Sequence, residues 1–270
     1  MDNIILNMNL LPVALLLLIC FYVVMTIGYL SGKRQHKQEA LIEKREKTAG
    51  TLTGAMLAFL GFMLAISISM ADSKFQERRK LVLDEANAIS TSSLRAQAIG
   101  GVHGTEISRL FVEYTRLRLE FYAAGEDRAK LQKVYEETLK VQKSIWNHAS
   151  AIAQAEPTAI SSILLVSLNQ TFDLGTSRRW VLEVRIPPYI INLLLVFSLL
   201  AMGIMGYYFG ICGIYHPVLS TLLFGALTFM ILLIMDLDRP RSGYITPEQS
   251  ALKWLVEEQK PQIHPGSSAP

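Results

Sequence analysis

Four stretches of this chain contain no charged residue over a length that could cross a lipid bilayer, and they constrain the fold more than any other feature. The stretches are residues 10–30, 52–71, 189–208 and 217–235. A helix rises about 1.5 Å per residue, so roughly 20 apolar residues cover a hydrocarbon core of about 30 Å. The sequence therefore predicts four transmembrane helices, which we call spans one to four.

The composition agrees with a multi-pass membrane protein. Hydrophobic residues make up 51% of the chain and charged residues 18%, which is more apolar than an ordinary soluble domain of this length. The net charge of +3 comes from 26 basic and 23 acidic side chains, so the chain lacks the basic excess typical of nucleic-acid binding. We expect the lipid bilayer as a partner and no nucleic acid.

Residues 72–185, between spans two and three, have a different character. They mix charged residues with apolar residues at helical spacing, which is typical of amphipathic helices in a packed domain. Glycines near 100 and 125 and the Glu156-Pro157 step interrupt the pattern, which predicts helices at 72–99, 105–124, 126–155 and 158–184. No glycine or proline follows span two before Gly100, so we expect span two to continue into this region as one helix.

The predicted fold class is an all-α integral membrane protein, with four transmembrane helices and a helical soluble domain inserted between spans two and three. Residues 1–71 hold spans one and two, and residues 186–236 hold spans three and four. Residues 237–270 form a C-terminal segment, and the proline, glycine and serine content of its end predicts a disordered tail.

Basic residues near the span ends conflict about orientation, because they lie on both sides of the membrane. Six lie between spans one and two, ten lie on the opposite side, and none lies between spans three and four. The positive-inside rule then favours a cytoplasmic inserted domain and cytoplasmic termini. The six are Lys33, Arg34, Lys37, Lys44, Arg45 and Lys47; the ten are Lys74, Arg78, Arg79, Lys80, Arg178, Arg179, Arg185, Arg239, Arg241 and Lys253.

The sequence lacks the usual signatures of enzymes and metal sites. The five histidines are scattered, without the second His or Cys at i+3 or i+4 that helical zinc sites use. The two cysteines, Cys20 and Cys212, fall in or beside apolar runs. There is no phosphate-binding glycine loop, no GxSxG and no HExxH. We therefore expect no catalytic residue, no metal and no cofactor, and we do not expect an enzyme.

Span two carries the most informative pattern. Gly54 and Gly61 are expected points of close helix approach. Four apolar residues, which we call the span-two stripe, recur at i, i+4, i+7 and i+11 and share one helix face: Phe59, Met63, Ile66 and Met70. Copies of this face around an axis would form a narrow apolar constriction that gates by dewetting. Alternatively the stripe packs against other spans or lipid, and periodicity alone favours that interpretation.

Basic residues cluster within two turns after span two, at Lys74, Arg78, Arg79 and Lys80. Repeated in several subunits, such charges would concentrate anions at the mouth of a pore. A collar of basic side chains that binds lipid headgroups would have the same sequence, so both interpretations stay open. Lys74, Arg78 and Arg79 are the candidate pore-mouth charges.

Acidic residues near these basic clusters predict structural ion pairs. Asp84 and Glu85 follow the first cluster on the same helix, where pairing on an exposed face would be weak. Asp236 and Asp238 directly follow span four and could bind a divalent cation, but neighbouring arginines would neutralise them, so internal ion pairs are favoured. The predicted structural salt-bridge cluster contains Asn169, Asp173, Arg178, Arg179, Asp236, Asp238, Arg239 and Arg241.

Three stretches together resemble the bacterial bestrophin-like domain family of unknown function. They are SMADSKFQERRKLVLDEANAISTSSLRA after span two, LNQTFD followed by paired arginines, and DLDRPRSG after span four. The resemblance runs from about residue 52 to residue 243, and LVLDEANAI and DLDRPRSG are its most specific parts. It implies a bacterial inner-membrane location, but the family has no assigned activity to carry over.

A more distant similarity is to bestrophins, which are pentameric anion channels whose long second helix lines the pore. It implies a homo-oligomer, by analogy a pentamer, and small anions as the transported species. Phe75, Arg78, Arg79 and Lys80 fall where bestrophins carry an aromatic and basic stretch. The tryptophan pair of that stretch is missing, and the acidic calcium-binding run is reduced to two aspartates, so calcium activation is not implied.

Two functional hypotheses follow from the sequence. The first is an oligomeric, channel-like membrane protein that passes small anions, with the span-two stripe as its constriction. The second is a membrane-anchored sensory or protein-interaction module, in which the helical domain binds a partner and the spans only hold it in place. A partner that co-purifies through residues 105–184, independently of the stripe, would distinguish the second hypothesis from the first.

Overall fold

The structure, a computed structural model, describes residues 9–36 and 42–259, and these residues form eight α-helices and no strand. The predicted all-α fold class is confirmed. The tail expected to be disordered, residues 260–270, lies outside the described residues. The helices are α1 (Leu10–His36), α2 (Ile42–Ile99), α3 (Gly101–Ala123), α4 (Arg128–Ala155), α5 (Ala159–Glu183), α6 (Pro188–Cys212), α7 (Pro217–Leu237) and α8 (Ser250–Glu258).

Four helical stretches of the described chain are long and apolar enough to cross a membrane. Each contains one predicted span: α1 contains span one, α2 span two, α6 span three and α7 span four. The four predicted transmembrane helices are therefore present. The expected continuation of span two is also present, because α2 is a single helix of 58 residues.

The chain divides into two compact units. The described residues within Met1–Lys74 and Arg185–Arg239 form the first, which we call the membrane unit. Those within Phe75–Val184 and Pro240–Pro270 form the second, which we call the helical unit. The helix α2 contributes its first part to the membrane unit and its second part to the helical unit.

In the membrane unit, α1 and α6 lie so close that their backbones touch. A Cβ atom added at Gly28 would meet the carbonyl oxygen of Gly203, and one added at Gly206 would meet the carbonyl oxygen of Met25. Small residues permit this approach between membrane helices. The prediction for Gly54 and Gly61 is wrong within the chain, since a Cβ at either position would meet no atom within 4 Å.

The helix α7 packs against α1 through aromatic side chains. Phe224 lies 5.8 Å from the ring of Phe21 and 5.0 Å, edge-on, from the ring of Tyr22, measured between ring centroids. The Tyr22 hydroxyl also hydrogen bonds the hydroxyl of Thr221. These contacts tie α7 to the tightly packed pair formed by α1 and α6.

The helical unit is built on one apolar core, shared by the second part of α2 and by α3, α4, α5 and α8. Local signals set the helix ends: the Asp127 carboxylate accepts a hydrogen bond from the Lys130 amide at the start of α4, and Thr158 forms a capping box at the start of α5. Gly100, with φ of 72°, separates α2 from α3, and Gly101, with φ of 66°, is the first residue of α3.

The helix α3 begins at Gly101, earlier than the predicted residue 105. Gly104, expected as part of the break, lies inside the helix. A Cβ atom there would meet the carbonyl oxygen of Ala96, so this glycine allows the first turn of α3 to approach the end of α2.

Candidate functional site: the long helix α2 and the buried arginine network

The apolar segment of α2, residues 52–71, presents two different kinds of face in the membrane unit. Its buried face consists of Thr53, Leu60, Leu64, Ser67 and Ala71, which are separated by seven, four, three and four residues. Every residue of the span-two stripe directly precedes one of these buried residues. The stripe is therefore rotated by about 100° from the buried face, because a helix has 3.6 residues per turn.

The span-two stripe lies at the edge of the packed face. Phe59 is 41% exposed and Ile66 is 40% exposed, whereas Met63 and Met70 are half-buried. The Phe59 ring packs edge-on against the ring of Phe197 on α6, with 4.8 Å between centroids. Part of the stripe thus contacts another helix of the same chain, and part remains uncovered.

A second face of α2 is more exposed than the stripe. It lies opposite the buried residues and consists of Ala55, Ala58, Phe62, Ala65 and Ser69. Phe62 is 61% exposed, more than any residue of the stripe. This face cannot be recognised in the sequence, because most of its side chains are small and form no apolar pattern that differs from the rest of the span.

The three candidate pore-mouth charges have different environments. Lys74 is half-buried at the end of the membrane unit's part of α2, and Arg79 is exposed in the helical unit. Arg78 is 1% exposed. The Arg78 guanidinium is therefore enclosed within the helical unit and lacks the accessible surface that its assignment as a pore-mouth charge expected.

Arg78 instead closes the C-terminal end of α5. Its Nε donates to the carbonyl oxygen of Val181 over 3.0 Å, and its terminal nitrogen donates to that of Val184 over 3.1 Å. The last carbonyls of a helix have no partner within the helix, so a guanidinium that reaches two of them satisfies both. The role of Arg78 is structural.

A network of charged side chains lies buried in the helical unit, centred on Glu85 of α2. One carboxylate oxygen of Glu85 accepts from Arg118 on α3 and the other from Arg178 on α5, each over 2.5 Å. The Arg118 side chain also donates to the carbonyl oxygen of Gly175 over 2.9 Å, and Arg178 donates to the Gln249 side chain just before α8. We call the four side chains of Glu85, Arg118, Arg178 and Gln249 the Glu85 network.

The Glu85 network joins four elements of the helical unit through charge-assisted hydrogen bonds. Glu85 is fully buried, which corrects the expectation that its ion pairing would be weak on an exposed helix. Burial by itself raises the pKa of this carboxyl, but the opposite charges of Arg118 and Arg178 outweigh burial and hold the pKa below its ordinary value. Glu85 therefore remains charged and hydrogen bonded at neutral pH.

Tyr114 packs beside the Glu85 network on α3. Its hydroxyl receives a hydrogen bond from the Gln142 side chain over 3.4 Å, and burial raises the pKa of this phenol to about 12. A Cβ atom at Gly175 would lie 2.7 Å from the same hydroxyl, so the glycine provides the space that Tyr114 occupies.

The other members of the predicted structural salt-bridge cluster have separate surroundings. In the helical unit, Arg179 pairs with Glu183 one turn along α5, over 2.9 Å, and its guanidinium stacks 3.8 Å above the Tyr135 ring. Asn169 and Asp173 are exposed on α5 and take no part in the Glu85 network. Arg241 stacks above the Phe121 ring at 4.7 Å.

The acidic residues after span four are buried in the membrane unit, where one of them accepts a hydrogen bond from the backbone. Asp236, Asp238 and Arg239 are all buried there. The Asp238 carboxylate accepts a hydrogen bond of 2.7 Å from the backbone amide of Ile186, which lies just before α6. This contact joins the end of α7 to the segment before α6 and gives a hydrogen-bond partner to the buried amide of Ile186.

Two open grooves lie on the described chain, one on each unit. The groove in the membrane unit has a volume of about 490 Å³. Its lining includes two basic side chains and is otherwise mostly apolar: Lys44, Arg45, Thr48, Leu52, Gly203 and Tyr207. Another of about 610 Å³ lies in the helical unit between α2 and α5. Within residues 9–36 and 42–259, no group of three or more His, Cys, Asp or Glu side chains is arranged to hold a metal ion.

Comparison with known proteins agrees with this architecture. Two solved structures match the fold, each with 16% identity, 88% coverage of this chain and 97% coverage of the matched chain. The first is a single-residue mutant of a bacterial bestrophin homolog from Klebsiella pneumoniae, with a TM-score of 0.57. The second is a single-residue mutant of a membrane protein, with a TM-score of 0.55. No curated protein sequence matches the chain significantly.

The apolar helices define an all-α membrane protein, and most of its helical unit is inserted between the second and third spans. Residues 19–251 match the family described as the Bestrophin-like domain. The chain therefore belongs to the bestrophin-like family, and the resemblance seen in the sequence is confirmed.

Proposed function

We propose that this chain is one subunit of an oligomeric channel that passes small anions, with α2 lining the pore. The observation that carries the proposal is the uncovered part of the span-two stripe, where Phe59 and Ile66 are each at least 40% exposed. Membership of the bestrophin-like family supports the same proposal. An uncovered apolar helix face in one chain is available to line a path between several copies.

In the proposed channel, the span-two stripe forms the constriction. Its side chains are apolar, so a narrow ring of them would exclude water when closed and would hydrate when widened. Lys74 and Arg79 are the proposed mouth charges, because they are the two candidates with accessible side chains. Such charges would raise the local concentration of anions without binding them tightly.

The proposed assembly is a homo-oligomer, and the resemblance to bestrophins favours a pentamer. We place the protein in the bacterial inner membrane with the helical unit in the cytoplasm, since more of the basic residues near span ends lie on that side. We propose no enzymatic activity, because the buried charged groups of the Glu85 network bind one another and the adjoining backbone and amide groups.

Anion flux through purified protein in liposomes tests the proposed constriction. We expect the double variant Met63→Ala and Ile66→Ala to raise chloride efflux several-fold over the wild type, because smaller side chains widen and wet an apolar ring. The matched control is Phe62→Ala, which removes an apolar side chain of the same helix on the more exposed face. Efflux from this control should stay near the wild-type value.

Two outcomes would count against the proposed pore face. If Phe62→Ala raises efflux and the double variant does not, the axis is lined by the more exposed face of α2 rather than by the span-two stripe. If neither the wild type nor any variant shows chloride flux, with equal or with unequal chloride concentrations across the membrane, the channel proposal itself fails.

The alternative is a membrane-anchored sensory or interaction module, and one feature of the helical unit favours it. Ile160, Ile163 and Val166 follow one another along α5, and each is at least 50% exposed. Three exposed apolar side chains on one side of a helix form a surface suited to another protein. This function would be supported by a protein that co-purifies with the wild type and with the double variant Met63→Ala and Ile66→Ala, but not with Ile163→Asp.

A further inference from the structure

Two histidines that are distant in the sequence lie side by side in the helical unit. His103 is in the first turn of α3 and His148 is near the C-terminal end of α4. Their Nδ1 atoms are 2.9 Å apart, and their ring centroids are 5.2 Å apart with an interplanar angle of 52°. We call them the histidine pair.

The distance between the two nitrogens has a chemical consequence. One Nδ1 must carry a proton and the other must offer its lone pair, so the two lone-pair directions meet in the space between the rings. A neutral imidazole nitrogen is the commonest protein ligand of transition metals. A divalent ion could replace the shared proton if both rings turned their lone pairs towards it.

The geometry is close to that of a metal site. Zinc binds imidazole nitrogen at about 2.0–2.1 Å, which at a tetrahedral angle places two such nitrogens about 3.3 Å apart. The pair would have to open by only about 0.4 Å, from 2.9 Å, to accept an ion. The exposed position of the pair leaves room for water in the remaining coordination sites.

We propose that His103 and His148 form a binding site for a divalent transition-metal ion of the zinc, cobalt or nickel type, with water completing the coordination. Glu106 lies one turn after His103, but its carboxylate oxygens are occupied by the Arg109 guanidinium over 2.7–3.1 Å. The chain therefore supplies two ligands, which makes binding weaker and more reversible than at zinc sites with four protein ligands.

A metal at the histidine pair would connect the start of α3 to the end of α4. These helices already pack against each other in the core of the helical unit, and an ion that binds only the folded chain would stabilise that arrangement. The histidine pair lies in the helical unit and the span-two stripe in the membrane unit, so the proposal does not depend on whether the protein conducts anions.

Calorimetric titration of the full-length protein in detergent, without a histidine tag, tests the site. We expect ZnCl₂ to bind at one ion per chain, and His103→Asn or His148→Asn to weaken binding by at least about tenfold, because a single imidazole remains. The matched control is His216→Asn, which removes a histidine between α6 and α7 and should leave binding unchanged.

Thermal unfolding separates metal binding from a merely structural hydrogen bond. Excess ZnCl₂ should raise the Tm of the wild type and of His216→Asn, and should leave the Tm of both pair variants unchanged. His148→Gln adds a second test, since glutamine keeps hydrogen-bonding groups opposite His103 but is a poor zinc ligand. Absence of zinc binding in the wild type, or wild-type affinity in both pair variants, would overturn the proposal.

Discussion

At the scale of single residues, the burial of Glu85 has the largest energetic consequence. A carboxylate removed from water is costly unless opposite charges and hydrogen bonds compensate it, and here two guanidinium groups do so. The two arginines depend on the carboxylate in return. Loss of the single acid would leave Arg118 and Arg178 facing each other in the interior of the helical unit.

We expect Glu85→Gln to destabilise the protein by about 3–5 kcal/mol, the usual cost of breaking a buried ion pair from one side. The measurement is the free energy of unfolding in urea, followed by circular dichroism in detergent. The matched control is Glu183→Gln, which removes a carboxylate from the exposed pair with Arg179 and should change stability little. Equal effects of the two substitutions would contradict the importance of the Glu85 network.

The Glu85 network also predicts how stability changes with pH. The pKa of Glu85 in the folded chain lies below its ordinary value of 4.5, so its contribution is fully present above about pH 4.5. The contribution is lost as the pH falls through the lowered pKa. The stability difference between the wild type and Glu85→Gln should therefore be constant near neutral pH and shrink on acidification. A difference that grows on acidification would refute the assignment.

At the scale of helices, the contact between α1 and α6 is the tightest in the membrane unit. A Cβ atom at Gly28, Gly206 or Gly210 would overlap a backbone atom of the facing helix, so these glycines leave no space for a side chain. Helices in a bilayer associate through close packing rather than through the hydrophobic effect, so this contact contributes directly to their association.

We expect Gly206→Val to destabilise the membrane unit by about 3 kcal/mol, because the added side chain would force α1 and α6 apart. The loss of the folded fraction in detergent on heating measures the effect. Gly61→Val is the control, since a Cβ atom at that position has no atom of the described chain within 4 Å. If Gly61→Val leaves the fold intact but breaks up an oligomer, the glycine contacts another copy of the chain.

At the scale of the whole molecule, subunit number is the property on which the proposed function depends. In the proposed channel the path lies between copies of α2, so conduction requires several copies around an axis. We expect light scattering and electron microscopy of the detergent-purified protein to give a ring of five chains with α2 at the centre. A monomer, or a dimer without an axial path, would remove the proposed pore.

The fold could be predicted from the sequence to a large extent because its determinants are local. Long uncharged segments specify spanning helices, and the absence of glycine and proline after span two predicts that α2 continues without a break. Most helix ends in the inserted region follow from nearby glycines, prolines and capping residues. These signals act over a few residues, so they need no knowledge of the packing.

The partners of individual side chains could not be predicted in this way. Glu85 lies 33 residues from Arg118 and 93 residues from Arg178, and His103 lies 45 residues from His148. In the sequence, Arg78 cannot be distinguished from other basic residues near a membrane. Its partner is known only from the structure, in which the end of α5 lies beside it. Hydropathy and spacing describe one helix at a time, whereas burial and ion pairing depend on which helices meet and in what rotation. Only the tertiary packing determines those.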